Sequence, residues 1–321
     1  KYSPNSTDLH FTKGKIYLKK GDSTDAVSEF RTVINQNQQF IPGHLALAEA
    51  HILSNETELA IQTLRKPLKT DPKSLDLLYA LARAYVVKKD YQAAQETLRR
   101  IMEYHPGHYQ AHADLGDLFM AQKDYSKAER EYREVLKKDP DSILSYVKLA
   151  QLHADRGKWS LASSELEEGY RKNPDSMLLL NTLVRVYMRD RKSGKAISLC
   201  EARVRKNPRD AFAHNVLGKL YSTTRDYTKA EASFTRAIQI QPVWPEPYSN
   251  LARLYMARGR KNEAIKRFEQ AVSKSSKDPT PYLALGMIYE QSGEYAKASQ
   301  IYTKILAAIP DLWPAANNLA F

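Results

Sequence analysis

The chain returns to the same residues every 34 positions. Pro72, Pro106, Pro140, Pro174, Pro208 and Pro242 are 34 apart, and so are Ala26, Ala60, Ala94, Ala128, Ala162, Ala196, Ala230, Ala264 and Ala298. A third series, Tyr17, His51, Tyr85, Phe119, His153, Tyr187, Tyr221, Tyr255 and Tyr289, keeps step with them, with no insertion or deletion between residues 7 and 312. A unit of this size cannot bury its apolar face by itself, so copies stack and share one continuous core. The expectation is a single repeat domain over residues 1–321. Repeats begin at residues 7, 41, 75, 109, 143, 177, 211, 245 and 279, and a tenth begins at Trp313 and stops at Phe321. This overrides the prior of about two compact domains that length would suggest.

Numbered from Thr7, one period reads as two helices. Positions 4, 7, 8 and 11 are apolar, the i, i+3, i+4, i+7 spacing of a helix face; in the third repeat they are Leu78, Leu81, Ala82 and Tyr85. Position 7 is Leu in every repeat but the first, which has Lys13, and position 8 is Gly or Ala everywhere except Val184. A small residue at position 8 lets another helix approach closely. Position 15 breaks the first helix, with Gly21, Gly157, Gly259 and Gly293 suited to a helix C-terminus. The second helix has Ala at 20 and a bulky residue at 24, such as Phe30, Tyr132, Phe234, Phe268 or Tyr302. Proline at 32 ends it, because the residue before a proline is disfavoured in a helix.

The Leu-Gly/Ala-x-x-Tyr of the first helix, the alanine at 20, the aromatic residue at 24 and the proline at 32 closely resemble the tetratricopeptide repeat (TPR), over residues 7–321. Position 4 departs from the family's usual Trp, holding His10, His44, Leu78, His112, Tyr146, Leu180, His214, Tyr248 and Tyr282. The resemblance implies an all-α fold, a right-handed α-solenoid (superhelix) of antiparallel helix pairs, with nine full repeats and the start of a tenth. The first helix of each pair would line a concave groove. The tenth repeat lacks a solubilising cap of the kind solenoids need, so the chain is expected to be a piece of a longer protein.

Composition excludes several classes. Apolar residues at 42% and charged residues at 27% are those of a globular protein rather than a disordered one. One cysteine excludes an internal disulfide framework and a Cys-rich metal site. No apolar run approaches the ~20 residues of a membrane helix, no signal segment opens the chain, and the compartment is left open between cytoplasm and periplasm. Six of the eight histidines fill position 4 (His10, His44, His112, His214) or position 11 (His51, His153), where packing accounts for them. His105 and His108 flank a Pro-Gly turn without the Cys or carboxylate spacing of a metal site. Cys200 stands at position 24 as a small buried hydrophobe. Eight of twelve glycines sit at positions 8 or 15, and no phosphate loop, nucleophile elbow or zinc-protease motif occurs. The sequons Asn5-Ser6-Thr7 and Asn55-Glu56-Thr57 are too common by chance to place the protein. The expectation is a non-enzyme with no cofactor and no metal.

Positions 2, 5, 9 and 13 face away from the packed stripe, and the resemblance makes them groove-lining. Position 9 reads Lys15, Glu49, Arg83, Asp117, Gln151, Arg185, Lys219, Arg253 and Met287. The sixth to eighth repeats are therefore all basic there. They add Asn181 and Asn215 at position 5, Asn250 at position 6, and Arg189 at position 13, opposed by Glu246 at position 2. The candidate partner-binding groove is thus Asn181, Arg185, Arg189, Asn215, Lys219, Asn250 and Arg253. Arginine offers a fork to carboxylates and asparagine a donor and acceptor to peptide backbone, so an acidic or C-terminal peptide segment is the expected ligand. The carboxylate clamp of chaperone-binding TPR arrays is not reproduced: Asn215 and Lys219 hold its positions 5 and 9 in swapped order, and Thr280 and Ala284 fill its last two places. The position-6 asparagine ladder of the O-linked sugar transferase type is matched only at Asn250 and Asn318.

The basic pairs Lys137-Lys138, Arg171-Lys172 and Arg205-Lys206 close second helices, where cations are favoured by the helix dipole. The leading expectation is a scaffold that binds protein partners or extended peptides and assembles a multiprotein complex, with self-association an open possibility for the uncapped end. The alternatives are binding of an anionic polymer, nucleic acid being the less expected, through the net charge of +12; a role like that of bacterial exopolysaccharide-export TPR proteins; and a substrate-selecting arm of an enzyme whose catalytic part lies elsewhere.

Overall fold

The computed structural model describes residues 6–241, 244–274, 279–310 and Ala315. Its regular elements among these residues are eighteen α-helices, two per repeat. The first five repeats comprise α1 (Thr7–Lys20), α2 (Ser23–Gln36), α3 (Ile41–Leu53), α4 (Thr57–Leu68), α5 (Leu75–Lys88), α6 (Tyr91–Tyr104), α7 (Gln110–Ala121), α8 (Tyr125–Lys138), α9 (Ile143–Asp155) and α10 (Trp159–Lys172). The remaining four comprise α11 (Met177–Arg189), α12 (Ser193–Lys206), α13 (Ala211–Thr223), α14 (Tyr227–Ile240), α15 (Pro245–Ala257), α16 (Lys261–Lys274), α17 (Pro279–Gln291) and α18 (Tyr295–Ala308). The beginning of the tenth repeat, Ala315 apart, lies outside the described residues, as does Pro242.

The chain divides into two compact units, residues 1–179 and 180–321, with the border inside α11. Within the first, each helix from α1 to α10 packs on the next, and the first helices of neighbouring repeats also touch, α1 on α3 and α3 on α5. Within the second, α12 to α18 pack in sequence, with α13 on α15 and α15 on α17. The architecture is an all-α repeat solenoid.

The turn between the paired helices has one conformation throughout. Position 15 has a left-handed backbone in all nine repeats: Gly21, Gly157, Gly259 and Gly293 at φ 66–81°, and Asn55, Lys89, Lys123, Arg191 and Arg225 at φ 58–66°. The four glycines adopt it freely; the lysines and arginines do so against the crowding that disfavours φ > 0 for residues with a Cβ. Aspartates at position 16 then cap the second helix. Asp22, Asp90, Asp124 and Asp226 accept from the backbone N–H three residues on at 3.2–3.3 Å. The second helices stop shortly before the position-32 proline, α8 at Lys138 before Pro140 and α12 at Lys206 before Pro208.

Inside each hairpin, positions 8 and 24 compensate in volume. A Cβ added to Gly14, Gly116 or Gly218 would lie 2.5 Å from the ring of Phe30, Tyr132 or Phe234 respectively, and Gly286 meets Tyr302 in the same way. Where position 8 is alanine, position 24 shrinks to leucine in three repeats: Ala48 with Leu64, Ala82 with Leu98 and Ala150 with Leu166. Where it is Val184, position 24 is Cys200. The eighth repeat departs, pairing Ala252 with Phe268, whose ring packs against Tyr248 at 5.9 Å between centroids. Close packing forces this reciprocity, since interiors tolerate neither added methyl groups nor voids cheaply.

Of the histidines at positions 4 and 11, His44, His51 and His153 are buried and His10, His112 and His214 half-buried, and most carry polar partners. His10 and His112 hydrogen-bond Glu29 and Glu131 at 2.5 and 2.7 Å, both in register 4 to 23. His51 meets Glu56 at 2.7 Å. His44 and His214 bond the backbone carbonyls of Gln38 and Pro208, and burial lowers the pKa of His214.

Candidate functional site

The seven expected groove residues lie on α11, α13 and α15, the first helices of repeats six to eight. Asn181, Arg185 and Arg189 are exposed on α11, Lys219 on α13 and Arg253 on α15. Among the described residues no carboxylate pairs with Arg185, Arg189 or Arg253. Lys219 is different: its ammonium donates to the Glu246 carboxylate at 3.0 Å, from α13 to α15. The opposing charge foreseen at Glu246 is therefore directed at one cation.

The two amides expected as free peptide-backbone contacts are not free. Asn215 is 1% exposed and Asn250 is 8% exposed. The Asn250 Nδ2 donates to the Asn215 Oδ1 at 2.9 Å, joining α13 to α15. Positions 5 and 6 fall where first helices of neighbouring repeats meet, so two short amides there bond one another rather than a ligand. The Asn215 Nδ2 is buried and has no partner. At the next junction the Ser249 hydroxyl donates to the Met287 sulfur at 2.7 Å, which makes position 9 of the last full repeat an acceptor rather than a cation.

A second polar constellation, in the first unit, centres on Asp117, the position-9 residue of repeat four, and was not among the expected groove residues. Asp117 of α7 accepts from the Tyr132 hydroxyl at 2.6 Å and from the Lys148 ammonium at 2.8 Å. One turn earlier lies Asp114, partly buried, whose carboxyl is raised above its ordinary range by burial first and the Asp117 carboxylate second, against a hydrogen bond from Gln110 and the weaker opposing influence of His108 and Lys148. Tyr79 of α5 stands nearby, its ring edge-on to His108 at 5.4 Å between centroids. Its hydroxyl is buried without a partner. Burial raises the phenol pKa, and the Asp114 charge raises it further. Position 5 of repeat three and position 6 of repeat four thus hold Tyr79 and Asp114, the register that holds Asn215 and Asn250 later in the chain. Only a comparison of position 5 with position 6 of the following repeat would have shown this in the sequence.

The basic pairs at second-helix ends sit in the last turns of α8, α10 and α12. Lys172 donates from there to the Pro140 carbonyl at 2.9 Å and to the Tyr146 hydroxyl at 2.7 Å. Among the described residues, no helix is long and apolar enough to cross a membrane, and no three His, Cys, Asp or Glu side chains converge as metal ligands would.

Paired helices of fixed length, a left-handed turn in every copy and small-to-large interlocking define a helical repeat scaffold. Family models described as tetratricopeptide repeat match residues 7–40, 51–103, 88–152, 213–243 and 249–312. The chain belongs to the tetratricopeptide repeat family, whose arrays serve as protein-interaction scaffolds and are typically non-catalytic. No curated protein matches the sequence. Similar solved structures include yeast Tom70, 12% identical with a TM-score of 0.47, covering 99% of this chain and 88% of that one. A tetratricopeptide repeat protein from Parabacteroides merdae is 17% identical with a TM-score of 0.46, covering 78% and 98%. Pseudomonas aeruginosa pilF is 19% identical with a TM-score of 0.46, covering 63% and 92%.

Proposed function

We propose that this protein is a non-catalytic scaffold that holds an acidic or C-terminal peptide segment of a partner protein along the first-helix faces of repeats six to eight. The observation that supports this most is that Arg185, Arg189 and Arg253 are exposed on those helices and lack carboxylate partners among the described residues. Unpaired guanidinium forks suit bidentate recognition of carboxylates. Lys219 joins them once a ligand carboxylate replaces Glu246. Asn181 is the exposed amide available to a peptide backbone, while the Asn215–Asn250 pair holds α13 and α15 together and supports the site from beneath.

The test is titration of the full chain with acetyl-Gly-Asp-Glu-Asp-Glu carrying a free C-terminus, and with its amide. Arg185→Ala and Arg253→Ala are each expected to weaken binding about tenfold, and Glu246→Gln to strengthen it. Binding that ignores both arginines would refute the reading. A loss of affinity with salt much steeper than the peptide's few charges explain would favour a polymeric anion instead.

A further inference from the structure

Two clefts in the same repeat register differ in charge. Each is walled by positions 18, 21, 22, 25, 26 and 29 of one second helix and by positions 14 and 16 of the next repeat's turn. The cleft of about 690 Å³ between α2 and the turn ahead of α4 holds Arg31 and Glu56, which cancel. The cleft of about 580 Å³ between α14 and the turn ahead of α16 holds Arg236, Arg258 and Arg260 against Glu231, a net charge of +2. Shape therefore comes with the repeat, while charge belongs to this junction. Position 16 is acidic in six of nine repeats and is Arg260 here; position 14 is Ser54 in the earlier cleft and Arg258 in this one. Arg260 is already offset, pairing with Glu263 and lying 3.6 Å from Glu231. Glu231 also accepts from the Tyr255 hydroxyl at 2.8 Å. The other two arginines are exposed. Arg258 lies over the Tyr227 ring, 5.4 Å from its centroid, and Arg236 donates to the neutral amide of Gln239 at 3.3 Å. Among the described residues no carboxylate pairs with either.

We propose that this cleft between α14 and the turn ahead of α16 is a site for a phosphoserine or phosphothreonine on a partner protein. A phosphomonoester carries a charge of about −1.5 to −2 near pH 7 and three acceptor oxygens, matching two uncompensated guanidiniums. Guanidinium forks pair with phosphate oxygens bidentately. A carboxylate or a phosphodiester brings a single charge and leaves one arginine unmatched. The cleft follows α14 from Thr228 to Gln239, about 16 Å at the rise of an α-helix. That length exceeds what a free phosphate needs and accommodates the peptide on either side of it. The contacts to Tyr227 and Gln239 hold the two guanidiniums without neutralising them, which lowers the cost of ordering them around a ligand. The site shares no residue with the arginine-bearing faces of α11, α13 and α15, so either reading can fail without the other.

The experiment titrates the full chain with acetyl-Gly-Gly-phosphoserine-Gly-Gly-amide and with its unphosphorylated counterpart, at about 0.15 M salt to screen the long-range pull of the net +12. The phosphopeptide is expected to bind at least tenfold tighter. Arg258→Ser and Arg236→Thr should each remove about tenfold of that affinity, the scale of one charged hydrogen-bonding partner. Both variants should keep the melting temperature, because the first cleft already has Ser54 and Thr32 at these positions. Arg258→Lys, which keeps the charge and loses the fork, should recover part of the loss. Arg185→Ala removes one charge from another face and should change nothing. Lowering the pH from 7.5 to 5.5 should weaken binding about fourfold as the phosphate gains its second proton, although the protein becomes more positive. Equal affinity for the two peptides, or phosphopeptide binding unchanged in both Arg258→Ser and Arg236→Thr, would overturn the proposal. So would displacement of the phosphopeptide by an equimolar amount of inorganic phosphate, which would leave a free-anion site. Tighter binding of a ten-nucleotide oligothymidylate through the same arginines would overturn it in favour of nucleic acid.

Discussion

Replacing Gly218 by alanine tests the reciprocal packing of positions 8 and 24. Gly218 lies inside α13 and is not among the residues of positive φ, so helix propensity favours alanine by about 1 kcal/mol. Against this, the added Cβ would sit 2.5 Å from both Cδ1 and Cε1 of Phe234. That is more than ~1 Å inside the optimal carbon–carbon contact. Phe234 is 1% exposed, so its ring must push neighbours aside, at a cost of about 1–3 kcal/mol. The expected balance is a net loss of about 1 kcal/mol. Phe234→Leu should destabilise by leaving a void. The double variant reproduces the Ala48–Leu64 pairing and should be no worse than Phe234→Leu by itself. Urea unfolding of the four proteins, followed by helical circular dichroism and by tryptophan fluorescence, gives the cycle, provided the two probes report one transition. The expected coupling is about 1–2 kcal/mol in favour of the double variant. Coupling below about 0.3 kcal/mol, or a Gly218→Ala protein stabilised by the full propensity increment, would refute the packing argument.

Three further outcomes follow from the turn and the buried thiol. Lys123→Gly should stabilise by about 0.5–1 kcal/mol, since glycine relieves the left-handed strain of about 1–2 kcal/mol but loses more entropy on folding. Gly157→Ala, where an added Cβ touches nothing within 4 Å, should cost a similar amount through backbone strain, and a Tm that moves the other way in either variant would contradict this account of the turn. Burial pushes the Cys200 thiol up to about 12, so the folded protein should resist alkylation by iodoacetamide at pH 8 and react once unfolded. Because the folded pKa lies above that of the unfolded chain, the neutral thiol's contribution is whole below about pH 8.5. It is lost as pH climbs towards 12, by at most about 1.4 kcal/mol per pH unit; prompt alkylation of the native protein would show that the thiol is accessible.

The candidate site divides along the same line as the fold. The exposure of Arg185, Arg189, Lys219 and Arg253 could be read from helical spacing, because that spacing says which side of one helix a residue occupies. The partners of Lys219 and Asn215 could not. Glu246 and Asn250 belong to the following repeat, and a face rule for one helix is silent about the next. Reading Asn215 as a free amide failed for that reason, and the Tyr79–Asp114 junction went unseen.

Periodicity by itself determined the number of repeats, the two helices in each, the turn at position 15 and the small-against-large interlock, because all of these depend on separations within one hairpin that recur every 34 residues. Tertiary structure decided which polar groups cancel and which are left unmatched. Hydrogen bonds and ion pairs are short-ranged and directional, and at a junction between repeats they depend on how two separate helices are placed. That is why Lys219 is tied to Glu246 and Asn215 to Asn250, while the Tyr79 hydroxyl is left without a partner.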